Sequence, residues 1–265
     1  MLKKRILTGA IAIPTLCLLI GYGPEPTLFI MVLIAVALGL HEFYSLLLPD
    51  NIPHERAIGI LLGMIVACLI YVGNTPLLHA LLCFNVIFLC LLYMLKSRNF
   101  SLAVSKIALT LFGILYIGFL LSFVTLIDKS TPGKQWLFFL VSTVWAADIG
   151  GFFAGSLLGR HKLYPKVSPN KTIEGFGGGV LGAIAVALVF RRLFFPLLDL
   201  SDCVVLGASL ALLGQMGDFT ESMIKRSAHV KDSSNLIPGH GGVLDRLDSF
   251  LFSAPFLYYY ICWGG

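Results

Sequence analysis

Charged side chains are scarce in this chain. Asp, Glu, Lys and Arg make up 12% of its 265 residues, about half the roughly 25% usual in soluble domains. With 57% hydrophobic residues and a mean hydropathy of +0.89, that deficit excludes an ordinary water-soluble globular domain. It also sets aside nucleic acid as a partner. A net charge of +5 would suggest one in a soluble protein, but in a lipid-embedded protein it reflects Lys and Arg gathered on one membrane face. Paired cysteine motifs are missing. Cys17, Cys68, Cys83, Cys90, Cys203 and Cys262 show no C-x-x-C spacing and no partner histidines, which argues against a zinc or redox site. Most of them sit in apolar runs, where Cys behaves as a small hydrophobe. No small-x-small cleavage site follows Lys3-Lys4-Arg5 and its apolar run before Gly23-Pro24-Glu25-Pro26, so the first segment reads as a retained span. Finally, no repeat relates the two halves, which weighs against a secondary transporter.

What is present is a succession of apolar runs. Crossing the hydrocarbon core takes about 20 mostly apolar residues, and such runs fall at about 6–22, 27–48, 57–73, 76–95, 105–127, 135–158, 176–195, 203–221 and 247–263. An open sheet would leave unpaired backbone in lipid. The expected fold is therefore an all-α polytopic membrane protein of about nine transmembrane helices, forming a single integral membrane domain. Residues 1–130 read as a helical scaffold, and 131–265 as the catalytic helices with two long loops, 159–175 and 222–246. With the N-terminus inside, only Lys129, Lys134, Arg191 and Arg192 lie outside, and the other 15 of the 19 Lys and Arg lie inside. This bias predicts a cytoplasmic N-terminus, an outer C-terminus and both long loops on the cytoplasmic face. Cys203 and Cys262 then share the outer side; the sequence does not settle whether they pair.

The polar residues that remain are concentrated. Asp148 lies well inside the sixth span, Asp218 and Glu221 near the inner end of the eighth, and Asp245 and Asp248 at the start of the ninth. An ionised Asp at the bilayer centre costs about 2.5–3.5 kcal/mol on insertion scales, so such residues pair or serve a function. Asp245 and Asp248, three apart, share a helix face, and Asp218 can join them. Mg²⁺ suits three such carboxylates, since it takes carboxylate oxygens, keeps waters and bridges phosphates. The competing reading is a set of salt bridges to Lys225, Arg226 and Arg246. Gly239, Gly241 and Gly242 around His240 permit close backbone approach and an anion-binding nest of amides. In the 159–175 loop, Lys166 and Lys171 beside Thr172 point to an anionic ligand, whereas Arg160 and Lys162 fit attraction to lipid head groups. Gly175 to Gly179 allow tight helix packing. His41-Glu42 reads as a helix-end pair reaching the interface, and His54, His79 and His161 as structural or exposed.

The stretch Ser222-x-Ile224-Lys225-Arg226, Lys231-Asp232 and Pro238-x-His240-Gly241-Gly242-x-x-Asp245-Arg246-x-Asp248 resembles the signature of the phosphatidate cytidylyltransferases (CDP-diacylglycerol synthases). Gly217-Asp218-Phe219-x-Glu221 and Ser168-Pro169-Asn170-Lys171-Thr172-Ile173-Glu174-Gly175 look like the same family. The resemblance implies the reaction CTP + phosphatidate → CDP-diacylglycerol + pyrophosphate at a bacterial plasma membrane, with Mg²⁺ and a second cation where the site binds two metals. It implies Asp218, Asp245 and Asp248 as metal ligands with Asp148 as a fourth. Lys225, Arg226, Lys231, His240 and Arg246 would hold phosphates, and Ser222, Asp232, Gly241, Gly242, Lys166, Lys171 and Thr172 would line the substrate site. Other readings stay open: a CTP-dependent lipid kinase, a cytidylyltransferase for another lipid phosphate and, more distantly, a transporter. The oligomeric state is also open.

Overall fold

A computed structural model describes residues 2–48, 52–96, 99–196, 198–237, 239 and 241–264, with side chains from residue 9 onward except at 25 and 264. His240 and Pro238 of the signature lie outside the described residues, as do Arg98 and the side chains of Lys3, Lys4 and Arg5. The chain is 83% helical. Its helices are α1 (Leu2–Tyr22), α2 (Glu25–Leu47), α3 (Pro53–Val72), α4 (Thr75–Lys96), α5 (Phe100–Gly113), a π-helical segment (Ile114–Phe119), α6 (Leu120–Lys129), α7 (Gly133–Leu158), α8 (Ile173–Leu193), α9 (Leu200–Ser227) and α10 (Leu244–Gly264). Among the described residues, seven helical rods are long and apolar enough to cross a membrane: α2, α3, α4, the continuous Phe100–Lys129, α7, α8 and α9. The apolar described part of α1, Gly9–Tyr22, is shorter. α10 begins with Asp245, Arg246 and Asp248 and carries Tyr258, Tyr259 and Tyr260, so among the described residues it holds no apolar stretch as long as those of the seven.

One element departs from the all-helical expectation. Within the 159–175 loop, β1 (Lys162–Tyr164) pairs antiparallel with β2 (Ser168–Thr172). Tyr164 and Ser168 each precede a proline, which pushes their backbone into the extended region. Val167 N–H closes the turn onto the Tyr164 carbonyl at 3.2 Å. The loop expected from 222 onward also begins later, because α9 runs on to Ser227 and so carries Ser222, Lys225 and Arg226 on helix.

The chain forms two compact units. The first comprises residues 1–126 and 232–245. At its centre Tyr44 is fully buried and its hydroxyl donates to the Thr110 carbonyl at 2.9 Å. A Cβ on Gly59 or on Gly113 would stand 2.6 Å from the Tyr44 ring, so those glycines admit the ring. Glu55 and Lys106, both buried, pair at 3.0 Å, as two charges at that depth must.

The second unit comprises residues 127–231 and 246–265. Here α7 and α8 meet along small residues. Added Cβ atoms on Gly150, Gly175 and Gly182 would lie 2.6, 2.9 and 2.8 Å from carbonyl oxygens of Gly178, Gly151 and Ala146. This is the close backbone contact that small-xxx-small faces give in membranes. Against α8, Gly207 of α9 lies equally close, its added Cβ 2.7 Å from the Ile184 Cα. Gly217 of α9 lies against α10, where a Cβ would stand 2.2 Å from the Asp248 carbonyl oxygen. The Ser253 hydroxyl lies between the Ser249 carbonyl of its own helix at 2.8 Å and the Leu210 carbonyl of α9 at 3.2 Å. All six cysteines are free.

Candidate active site

In the second unit the glycine contacts bring three carboxylates into electrostatic range. Asp148 on α7 feels the charges of Asp218, Lys171 and Arg246, and Asp248 on α10 feels those of Asp218, Asp148 and Lys225. Asp218 Oδ2 pairs with the Lys171 ammonium at 2.6 Å, and its Oδ1 accepts from the Ser222 hydroxyl at 3.3 Å. The same ammonium sits 4.3 Å from the Phe219 ring centroid, a cation–π contact that fixes its position. Asp248 Oδ1 accepts from the Ser249 amide at 2.7 Å. Glu221, fully buried, pairs with Lys225 one helical turn on.

Lys171 and Lys225 are thus engaged by Asp218 and Glu221. Among the described residues, neither Asp148 nor Asp248 has an ion-pair partner within salt-bridge distance. Two carboxylates that repel across a small space, with cations bound to their neighbours, suit a divalent ion. Among the described residues no three His, Cys, Asp or Glu side chains converge to enclose one. Mg²⁺ does not require such a cage, since it is typically held by one or two carboxylates, waters and substrate phosphates. The donor set therefore fits this ion.

The hairpin beside this cluster is organised by its own polar groups. Glu174 accepts from the Arg160 amide at 3.1 Å, the His161 amide at 3.2 Å and the His161 ring at 2.7 Å. His161, exposed as expected, is therefore paired, and the His54 ring contacts Lys96 at 2.6 Å. Thr172, expected to touch substrate, is buried. Its hydroxyl caps α8 by accepting from the Gly175 amide at 3.0 Å, which is an architectural use. Arg226 reaches back to the hairpin, donating to the carbonyls of Val167 at 3.4 Å and Val230 at 3.1 Å. Lys166 and Lys231 are exposed and have no carboxylate partner among the described residues.

In the first unit the signature loop differs from its expected form. Of the glycine amides expected to cradle a ligand anion, that of Gly242 is already filled by a carboxylate of the protein. Asp245 Oδ2 accepts from the Gly242 amide at 2.7 Å and from the Ser233 amide and hydroxyl, each at 2.9 Å. As a metal ligand Asp245 therefore has at most Oδ1 to offer. The Val243 and Leu244 amides donate to Glu42 at 2.9 and 2.8 Å. The close approaches that require Gly241 and Gly242 are to these same groups. An added Cβ at 241, where φ is +81°, would lie 2.6 Å from Asp245 Oδ2. One at 242 would lie 2.5 Å from Glu42 Oε2 and 2.0 Å from Ser233 Oγ. Asp232 is exposed. Glu42 is the residue that the sequence reading missed. Its only local signal is a carboxylate at the end of an apolar helix, the same as that of an interfacial residue.

A model of the cytidylyltransferase family matches residues 3–263. A phosphatidate cytidylyltransferase of Bacillus subtilis is 32% identical over 269 residues, covering 97% of each chain. A Staphylococcus epidermidis protein of the same name is 39% identical over 170 residues, 64% of each chain. One from Staphylococcus aureus is 38% identical over 172 residues, again 64% of each. With a match across nearly its whole length, this chain belongs to the cytidylyltransferase family.

Proposed function

We propose that this membrane protein transfers the cytidylyl group of CTP to phosphatidate, forming CDP-diacylglycerol and releasing pyrophosphate. The observation that carries the proposal is the grouping of Asp148, Asp218 and Asp248 with Lys171, Lys225 and Arg246 in helices packed through glycine. The relatives described above are named for this activity. A phosphate oxygen of phosphatidate attacks the α-phosphorus of CTP. The bond from that phosphorus to its bridging oxygen breaks, and the electron pair leaves with pyrophosphate. No general base is needed, because phosphatidate is already ionised at neutral pH. What such a transfer demands is alignment and neutralisation of charge on the phosphoryl oxygens.

Asp148 and Asp248, with Asp218 beside them on Lys171, would hold Mg²⁺, which would supply charge neutralisation for the transfer. Lys171 lies on Asp218 and is positioned to move between that carboxylate and a phosphate. Lys225 and Arg246 add positive charge near Asp248 and Asp148, and the exposed Lys166 and Lys231 can meet an incoming triphosphate. Asp245, Gly241 and Gly242 shape the signature loop. With nine crossings of a bacterial plasma membrane, the Lys and Arg bias would put the chemistry on the cytoplasmic face.

CTP labelled at either its α- or its γ-phosphate, mixed with detergent-solubilised protein, phosphatidate and Mg²⁺, tests the reaction. Cytidylyl transfer places the α-label in lipid and the γ-label in pyrophosphate. A γ-label in lipid would instead identify a lipid kinase, and no transfer of either label would refute both.

A further inference from the structure

We infer that Glu42, on α2, is a positioning residue that holds the signature loop and the first turn of α10 in their working form. The inference rests on the proposed reaction for its catalytic consequence, but its structural part stands apart. Glu42 is only 4% exposed, and a carboxylate buried so deeply costs stability unless it is fully hydrogen-bonded. Among the described residues four donors reach it, one of them the Ser233 hydroxyl whose proton Asp245 also faces. Oε1 accepts from the Ser234 hydroxyl at 2.6 Å and the Val243 amide at 2.9 Å. Oε2 accepts from the Ser233 hydroxyl at 3.0 Å and the Leu244 amide at 2.8 Å.

These contacts close the loop at both ends. Ser233 and Ser234 stand at its beginning, Val243 and Leu244 at its end, and all four converge on one side chain from another helix. Val243 and Leu244 carry amides at the N-terminus of α10, which have no partner within the helix. Glu42 therefore serves α10 as a cap contributed from elsewhere in the chain, with its negative charge at the positive end of the helix dipole. Ser233 links Glu42 to Asp245, since its hydroxyl lies 3.0 Å from one carboxylate and 2.9 Å from the other and has a single proton to offer. Gly242 is confined by the same arrangement, because no side chain fits between its backbone, Ser233 and Glu42.

The charge is therefore essential as well as the shape. In Glu42→Gln the side chain keeps its size, but one oxygen becomes an NH₂ group, which cannot accept from a backbone amide. At least one of Val243 and Leu244 would face a donor. The test measures hydrogen–deuterium exchange and turnover on the full chain in detergent, with Glu55→Gln as the comparison. Glu55 is another buried acid of the same unit, paired with Lys106 and with no hydrogen bond or ion pair to the loop among the described residues. Glu42→Gln is expected to speed exchange across 232–245 by about tenfold or more and to lower kcat for CDP-diacylglycerol formation by a similar factor, with α2 exchange unchanged. Glu55→Gln is expected to lower the unfolding midpoint without faster exchange in the loop. Wild-type exchange in 232–245 of Glu42→Gln would overturn the anchoring role. Faster exchange with unchanged kcat would overturn the positioning role. If the wild-type protein forms no CDP-diacylglycerol, the reaction is wrong, and the exchange data still decide whether Glu42 holds the loop.

Discussion

Gly217→Ala is a sharp test of whether helix contact sets the chemistry. A methyl group at this position would lie 2.2 Å from the Asp248 carbonyl oxygen, 3.1 Å from its carbonyl carbon and 3.4 Å from the Ser249 Cα. A carbon and a carbonyl oxygen normally approach no closer than about 3.3 Å, so α9 and α10 must separate by about 1 Å. The obstructing atoms are backbone, so no side-chain rotation relieves the clash. Overpacking of this kind typically costs about 1–3 kcal/mol, which leaves a folded but less stable protein. The catalytic cost is larger. Asp218 follows Gly217 directly and Asp248 is the residue struck, so the separation falls between two carboxylates that must align a phosphoryl transfer. A misplacement of about 1 Å can cost roughly 100-fold in rate. The assay is incorporation of CTP α-label into lipid, alongside thermal unfolding in detergent. Gly177→Ala supplies the control, because a Cβ there meets nothing within 4 Å and replacing Gly by Ala in a helix gains up to about 1 kcal/mol. Near-wild-type turnover in Gly217→Ala, or an equal loss in Gly177→Ala, would refute the reasoning.

Asp248→Asn should abolish turnover while membrane insertion is retained, because a neutral side chain crosses lipid more easily than an ionised one; activity with folded, purified protein checks it. Chelating divalent ions with EDTA should stop the reaction and added Mg²⁺ should restore it, as followed by pyrophosphate release. Lys171→Met should lower activity by at least about tenfold, since it removes the counter-charge of Asp218 together with a phosphate-holding group, whereas Arg160→Ala should cost little. Thr172→Ala should lower the unfolding midpoint by the equivalent of about 1 kcal/mol for a lost helix cap, with kcat changed far less than by Lys171→Met. Cysteines placed at Lys166 and Lys231 in a cysteine-free background should both react with an impermeant thiol reagent from the cytoplasmic side; reaction from opposite sides would overturn the topology.

The sequence by itself determined the membrane class and the approximate positions of the apolar helices, and it singled out the polar residues of the candidate site. The constraint of lipid is local. Each span must satisfy its own backbone and show lipid an apolar surface, so about 20 consecutive residues suffice to reveal it. An Asp such as Asp148 or Asp218 then stands out against that background. The prolines after Tyr164 and Ser168 also held a legible signal for the hairpin, obscured by the basic character of the loop around them. Which donors meet which acceptors could be decided only by tertiary structure. Glu42 and Leu244 are 202 positions apart, and Lys171 reaches Asp218 across two elements. The turn of Gly239, Gly241 and Gly242, leading into a helix, looked ready for a ligand anion because it leaves N–H groups without local partners. A buried N–H takes whichever acceptor the fold brings to it. Here those acceptors are Asp245 and a carboxylate from α2, and no periodicity, composition or spacing records a partner brought by packing alone.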